Sequence, residues 1–420
     1  MHTATESDIV RLARATKALA LTLAATPTFE KNAALEKIAQ ALENNQALIL
    51  EANARDIAQG QAEGLSKALI DRLSLNARRI HDLVETVQQI VRLPDPVGTL
   101  LDAYKRPNGL HIEKVRVPLG LVAIIYEARP NVTVDAAALA LKSGNCVLLR
   151  GSRSALNTNR ALVEIMQAAL VQTALDPGII ALVTDSDRAA VSELLQLRGI
   201  IDVVIPRGGS ELIQRVVNES RIPVLETGEG NCHVYVDGSA NLDHAVKICY
   251  NAKVQRPSVC NAAETFLFQK PIAAEMVRQL FPLLRQAGVD IRADESIRAL
   301  DASVTAATEQ DFDTEFLDLI VAVKVVADVN AACAHIRRFG TQHTEAIVAE
   351  DPSVIDQFKK GIDCAAVMIN ASTRFTDGGE FGFGAEMGIS TQKLHARGPL
   401  GLPELCTYQY VVTGQGHIRS

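Results

Sequence analysis

Cys260 lies in the stretch NAKVQRPSVCNAAET, residues 251–265, and its setting differs from that of the other six cysteines. It follows the break Arg256-Pro257-Ser258, between a helix-like run over 241–254 and a strand-like run over 265–268. Arg256 stands four residues before it, and Asn261 and two alanines follow. A loop that presents a thiol beside a cation favours the thiolate, which is the form that attacks carbon. Free cysteines are also among the most buried residue types, so packing is the competing reading. Cys146, Cys249 and Cys333 sit inside apolar or helical runs, and Cys232, Cys364 and Cys406 at strand edges; these six read as structural. Glu226, in VLETGEGN, precedes Cys260 by 34 residues and puts a carboxylate at a strand end just before a glycine.

The elements that must position these groups change character along the chain. The first ninety or so residues are helix-rich, with Leu12, Ala15 and Leu19, then Leu35, Ile38 and Leu42, at helical spacing. Pro94 and Pro96 end that region. Pro107-Asn108-Gly109, between two extended segments, predicts a hairpin over 100–118 that has no sheet of its own to join. From Gly120 strands and helices alternate. LVAIIYEA, CVLLRGS, GIIALVT, IDVVIPRGG and IPVLETG read as strands, with helices between them. A second run of strands follows at HVYVD, TFLF, LIVAVKVV, EAIVAE and AAVMIN, and the tail ELCTYQYVVTG is a last strand with no helix after it. The alternation predicts two parallel sheets with helices on both faces. No GxGxxG follows the first strand. Gly208-Gly209, between a strand and a helix, is either a tight turn or a place for pyrophosphate on backbone N–H groups.

Composition narrows the classes. The net charge of −7 argues against nucleic acid as a partner. Seven cysteines without CxxC or metal-type spacing indicate a reducing compartment and no metal site. The N-terminal stretch lacks the apolar centre of a signal peptide, and no apolar run approaches a membrane span. A soluble, cytoplasmic protein is expected.

A glutamate at a strand end, a glycine, and a cysteine 34 residues on resemble the aldehyde dehydrogenase superfamily. Pro118-Leu119-Gly120, Gly144-Asn145, Pro206-Arg207-Gly208-Gly209-Ser210 and Glu315-Phe316 agree with it. Within that superfamily the chain resembles the γ-glutamyl phosphate reductase family. The motifs are YEARPNVTVDA (126–136), LKSGNCVLLRGS (141–152), PRGG (206–209), QRPSVCNAAET (255–265), GTQHTEAI (340–347) and the long stretch 370–402.

The resemblance implies an α/β, aldehyde-dehydrogenase-like fold: two doubly wound parallel-sheet domains plus a protruding β oligomerisation arm. The cofactor-binding domain would take residues 1–99 and 119–230, and the catalytic domain 231–395. The arm would take 100–118 and 404–420, with 396–403 returning to the cofactor-binding domain. It implies NADPH-dependent reduction of L-glutamyl 5-phosphate to L-glutamate 5-semialdehyde, with release of phosphate, in proline biosynthesis. Cys260 would be the nucleophile and Glu226 a secondary proton relay or loop-ordering residue. The tryptophan–asparagine pair of the superfamily is replaced here by Tyr126-Glu127. Oxyanion stabilisation would then fall to Asn131 or to backbone N–H groups near Cys260. Arg150, Ser152, Arg153, Pro206, Gly208, Gly209 and Glu315 would line the cofactor. Arg153 stands where NAD-using members often carry a glutamate, which suits a 2′-phosphate and so NADP. Arg129, Arg256, Arg374, His395 and Arg397 would meet the substrate's carboxylate and phosphate. A homodimer or higher homo-oligomer, and a transient contact with the upstream glutamate kinase, are further expectations.

Three other readings compete. One is a related dehydrogenase that uses a coenzyme A thioester or oxidises an aldehyde. Another is a cofactor-free cysteine hydrolase or transferase, with His233 or His395 as base. The third is a non-catalytic regulator on the same scaffold.

Overall fold

The computed structural model describes residues 6–419. Residues 1–5 and 420, at the outer ends of the expected helical region and arm, lie outside them. Chain contacts divide the protein into two units. The first runs to Glu226 and takes in Gly382–Gly388 and the chain from Leu400 onward; the second is Thr227–Phe381 with Ile389–Pro399. The division thus falls at Glu226/Thr227, against the 230/231 expected. The chain returns to the first unit twice rather than once.

In the first unit the helical spacing builds the expected helices. Thr28–Asn44 turns Ala34, Leu35, Ile38 and Leu42 inward, and Ala77–Arg92 buries Ile80, Val84, Val87 and Ile90. Lys31 and Asp95 form a buried ion pair at 2.5 Å, and the Lys142 ammonium donates to the Val91 carbonyl at 2.9 Å. Four parallel strands follow: β1 (Leu121–Tyr126), β2 (Cys146–Gly151), β3 (Ile180–Leu182) and β4 (Val203–Arg207), in the order β3-β2-β1-β4. β1 and β2 are buried along their whole length, as strands covered on both faces must be. The strand order reverses between β1 and β4. In open α/β sheets a crevice opens at such a point, outside the carboxyl ends of the strands. IPVLETG does not form the expected strand. Pro223 has no N–H for a ladder, and the segment makes only the single bridge of Val224 to Val204.

The second unit holds a seven-stranded parallel sheet. Its strands are β5 (Cys232–Val236), β6 (Ala263–Gln269), β7 (Asp290–Ala293), β8 (Thr305–Ala306), β9 (Ile320–Val326), β10 (Thr344–Val348) and β11 (Ala366–Ile369). They lie in the order β8-β7-β9-β6-β5-β10-β11. Met276, Leu280, Phe281 and Leu284 of the helix Lys270–Gln286 pack with Phe266 and Phe268 in one core. Cys333, Ile336 and Phe358 pack with Tyr235, Leu267 and Ile347 in a second. β7 and β8, which were not foreseen, are short; β8 is the edge strand and β7 lies between it and β9. β12 (Ile389–Ser390) and β13 (Gly398–Pro399) make a small antiparallel ribbon.

The hairpin and tail belong together. β14 (Cys406–Thr413) pairs antiparallel with His111–Pro118, which pairs with Leu100–Lys105, giving a three-stranded sheet. Gly109, with φ 96°, supplies the left-handed position of the turn. Leu100, Tyr104, Tyr408, Tyr410, Val411 and Val412 are all exposed on this sheet. Among the described residues no helix is long and apolar enough to cross a membrane.

Candidate active site

The nucleophile loop joins the helix Leu242–Val254 to β6. Asn241 caps the helix by accepting from the His244 N–H at 3.1 Å, and Pro257 stops it. Cys260 is partly exposed, whereas Cys146, Cys232, Cys249, Cys333 and Cys406 are buried. Cys364 is also partly exposed, but burial of its thiol pushes it up to about 12. Burial raises the other five as well: Cys146 and Cys406 to about 12, and Cys232, Cys249 and Cys333 upward. The loop around Cys260 is pinned on three sides. Asn261 Nδ2 donates to the Thr376 carbonyl at 2.8 Å. Cys232 Sγ donates to the Cys260 carbonyl at 3.2 Å. Gly230 lies against the Cys260 peptide, where a β-carbon would fall 1.4 Å from the carbonyl oxygen.

Two guanidiniums share this corner of the second unit. Arg374 Nε donates to Gln255 Oε1 at 2.8 Å. Its guanidinium is held below its usual range, first by burial and then by the like charge of Arg256; Asp377, Cys260 and Glu380 act the other way. Arg256 is exposed and makes no hydrogen bond or ion pair with the described residues. Two cations held near each other and near a thiol form a seat for an anion. Arg397 is placed differently. It pairs with Asp363 at 2.6 Å and reaches Gln342 at 3.3 Å, so a carboxylate already holds it. His395 is exposed and sits at φ 66°.

Glu315, expected at the cofactor ribose, accepts the Gly230 N–H on its Oε1 at 2.7 Å. It therefore braces the glycine that abuts Cys260. Sequence reasoning missed the ion pair beneath the loop: Lys253 Nζ lies 2.5 Å from Glu264 Oε2, and both side chains are fully buried. The available signal was a charge on each side of Cys260 inside otherwise apolar runs. His233 is buried and bonded to Glu345 Oε2 at 3.1 Å, a core contact rather than an exposed base.

The segments of Gly230, Cys260 and Glu315 enter the N-terminal ends of β5, β6 and β9, whereas Arg374 follows β11 and His395 and Arg397 precede β13. The first unit carries its candidate residues at the opposite strand ends, the carboxyl ends of β1, β2 and β4. Glu127, just past β1, accepts the Gly209 N–H on Oε2 at 3.0 Å, and its carboxylate lies where a β-carbon on Gly208 would fall. The turn expected to take pyrophosphate thus already binds a carboxylate. Pro206 pairs with Ile125 within the sheet. Arg150 is nearly buried and donates to the Ser186 carbonyl at 2.8 Å, while its Nε finds no partner. Ser152 Oγ accepts the Ala128 N–H at 3.1 Å and meets Ser154 Oγ at 2.8 Å. Ala128 is held at φ 30°, a strained position for alanine. Arg153 is exposed, 3.9 Å from Glu63. Asn131 Nδ2 donates to Asp135 Oδ2 at 3.1 Å, so the amide expected at an oxyanion serves a carboxylate here. Burial pushes Asp135 up to about 6, against the pull of Asn131 and Arg207. Asp135 is a titratable group that sequence reasoning overlooked. Arg129 occupies the N-cap position of the helix Pro130–Lys142 without a side-chain cap bond, and Glu226 ends the first segment of the first unit.

Comparison with known proteins gives a consistent picture. The sequence profile of the Aldehyde dehydrogenase family matches residues 1–311. Gamma-glutamyl phosphate reductase of Thermobifida fusca (strain YX) is 53% identical over 414 residues, covering 99% of this chain and 99% of the relative. The same-named protein of Carboxydothermus hydrogenoformans is 53% identical over 412 residues, covering 98% and 99%. The crystal structure of gamma-glutamyl phosphate reductase from Thermotoga maritima is similar at a TM-score of 0.96 and 47% identity, covering 99% of this chain and 100% of that one. An acetylating aldehyde dehydrogenase from Geobacillus thermoglucosidasius shares the fold at 18% identity and a TM-score of 0.70, with 98% of each chain covered.

Proposed function

The chain belongs to the aldehyde dehydrogenase family, and on that premise we propose that it is an NADPH-dependent reductase of L-glutamyl 5-phosphate. The products are L-glutamate 5-semialdehyde and phosphate, the second step of proline biosynthesis from glutamate. The observation that carries the reading is local: a partly exposed thiol on a braced loop, beside two mutually repelling guanidiniums. Such a pair invites an anionic group to the carbon that the thiol attacks.

The Cys260 thiolate adds to the acyl carbon, and the tetrahedral species expels phosphate, leaving a thioester on Sγ. Arg256 and Arg374 are assigned to the substrate's anionic groups, the phosphate or the α-carboxylate. After reduction the Cys260 thiohemiacetal collapses, releasing the aldehyde and restoring the thiolate. Both tetrahedral species need donors at the oxyanion. Asn131 and backbone N–H groups of the Cys260 loop are the candidates; the Asn131 bond to Asp135 favours the backbone. No water is activated in this direction, so Glu226 is given a secondary role in proton transfer or loop order. Arg129 and His395 stay candidates for the substrate's outer charges; Arg397 is the weakest, because Asp363 already holds it.

The first unit fits a dinucleotide. Its sheet has the strand reversal, and Arg150 Nε is a buried donor without a partner. Gly208-Gly209 open a helix, but the Glu127 carboxylate must leave the Gly209 N–H before this turn can take a phosphate. Arg150, Ser152, Arg153, Pro206, Gly208 and Gly209 would hold NADPH, with Glu315 toward the nicotinamide ribose. When bound, NADPH supplies the hydride. Arg153 is assigned to the 2′-phosphate, its exposed guanidinium held only by a long contact to Glu63.

The exposed three-stranded sheet is assigned as an arm for a homodimer or larger homo-oligomer. The enzyme is placed in the cytoplasm. A transient contact with the kinase that makes the unstable acyl phosphate would shield it from water. The reverse reaction tests the activity. Semialdehyde and NADP should give the absorbance of reduced nicotinamide only when phosphate is added. Reduction that needs coenzyme A, or proceeds without phosphate, would sink this reading and favour another dehydrogenase of the family.

A further inference from the structure

Lys253 is near the end of the helix Leu242–Val254, and Glu264 is the second residue of β6. The segment between them carries Cys260. Their ion pair therefore closes this segment at its base, with Lys253 Nζ 2.5 Å from Glu264 Oε2 and both side chains fully buried. The second carboxylate oxygen, Oε1, accepts the Leu317 N–H at 3.3 Å. Leu317 stands at φ 52°, a left-handed position that a leucine holds only when its surroundings fix it. Two residues earlier, Glu315 accepts the Gly230 N–H at 2.7 Å, and Gly230 abuts the Cys260 peptide. The contacts form a ring through the loop, the ion pair, the 315–317 segment, Gly230 and back to Cys260.

Stability gives no reason for this arrangement. Burying two charges costs about as much as their attraction returns, and well-packed apolar residues of the same volume are often as stable or more so. What an ion pair adds over an apolar contact is direction and a fixed register. We propose that Lys253 and Glu264 are positioning residues that close the Cys260 loop and lock it to the segment bearing Glu315. Thiol and carboxylate are then held in one fixed relation. Both side chains are fully buried, so neither charge is open to a substrate. The inference rests on Cys260 being the nucleophile of the proposed reaction.

Glu264→Gln and the volume-conserving pair Lys253→Met/Glu264→Leu test it, read three ways. These are steady-state kinetics, thermal midpoint, and the rate at which iodoacetamide labels Cys260 without substrate, followed by peptide mass spectrometry. In the double variant the midpoint should match or exceed wild type. In both variants kcat should fall at least tenfold, KM should stay within about twofold, and Cys260 labelling should slow at least fivefold. Glu264→Gln decides the matter if the double variant does not fold. Wild-type kcat and labelling would overturn the proposal. So would a loss of kcat that tracks a falling midpoint while labelling is unchanged, since that is structural damage alone. Failure of the functional reading is distinguishable: wild-type protein would then lack phosphate-dependent turnover, whereas labelling needs no substrate.

Discussion

Gly230 and Cys260 are packed backbone to backbone, so that a β-carbon on Gly230 would lie 1.4 Å from the Cys260 carbonyl oxygen and 2.7 Å from its Cα. No side-chain rotation relieves such a contact; a peptide has to move. Overpacking of this kind costs about 1–3 kcal/mol. A shift of about 1 Å in a reacting group costs about a hundredfold in rate. Gly230→Ala should therefore lower the thermal midpoint clearly and cut kcat about a hundredfold. A Gly230→Ala enzyme with wild-type kcat would mean that the position of the Cys260 peptide does not set the rate.

Cys260→Ala should keep the fold and NADPH binding but lose reduction of the acyl phosphate. In wild type, alkylation should reach Cys260 before the other six cysteines, all of whose thiols are raised by burial. Mass spectrometry of tryptic peptides after brief iodoacetamide treatment checks the order. Near-normal turnover by the alanine variant would exclude the covalent route.

Local chemistry made some of this legible in the sequence. The apolar runs at 121–126 and 146–149, alternating with helical segments, read as buried parallel strands, and the break at Pro257 marked Cys260 as a loop residue. Pairings across the chain were hidden. Lys253 and Glu264 sit eleven positions apart, one on a helix and one on a strand, so no periodicity links them. The carboxylate of Glu127 on the Gly209 N–H, and Asp363 on Arg397, are likewise tertiary facts. Each gives a partner to a group that the motifs alone would leave for a ligand. IPVLETG misled because its short apolar run reads as a strand, while Pro223 removes a donor.

Arg153 is exposed and only loosely held by Glu63, so it can turn to a ligand at little cost. Arg153→Glu should move preference from NADPH toward NADH. A hydrogen bond to a charged group is worth about 1.5–3 kcal/mol, which is about tenfold or more in the ratio of kcat/KM values. An unchanged ratio would show that Arg153 does not face the 2′-phosphate.

Acid should destabilise the second unit through its buried histidines. Burial, with His233, Lys324 and Arg338 nearby, pulls His335 down to about 3; burial alone pulls His343 down to about 4. The folded pKa of each lies below the unfolded value, so the unfolded chain takes up the proton first. The stability each contributes is intact above about pH 6.5 and is lost as the pH falls toward the folded value, at about 1.4 kcal/mol per pH unit. His335 packs edge-on against Phe312, and its Nε2 has no partner, so an apolar side chain suits the site. His335→Leu should be near wild type at pH 7.5 and about 2 kcal/mol more stable than wild type at pH 5. Urea midpoints at the two values check this; a constant difference between the proteins would rule out titration of His335.

The tail strand pairs along its whole length with His111–Pro118, and the sheet they form leaves Tyr408, Tyr410, Val411 and Val412 in solvent. Open strand edges and exposed β-branched and aromatic residues invite a partner strand, and a second copy of the same sheet supplies one by symmetry. Leu405 and Cys406 are buried, and the Leu405 carbonyl accepts from Asn145 Nδ2 at 2.8 Å, so a clean cut lies after them. Deleting Thr407–Ser420 should leave both parallel sheets intact and remove none of the candidate catalytic residues. If the sheet is an oligomerisation arm, the truncated protein should sediment as a monomer or aggregate and lose most of its activity. Activity should not return at high protein concentration, because the pairing strand itself is gone. A monodisperse, fully active monomer from that truncation would mean that the tail pairs only within its own chain and that the exposed sheet has no second copy to meet.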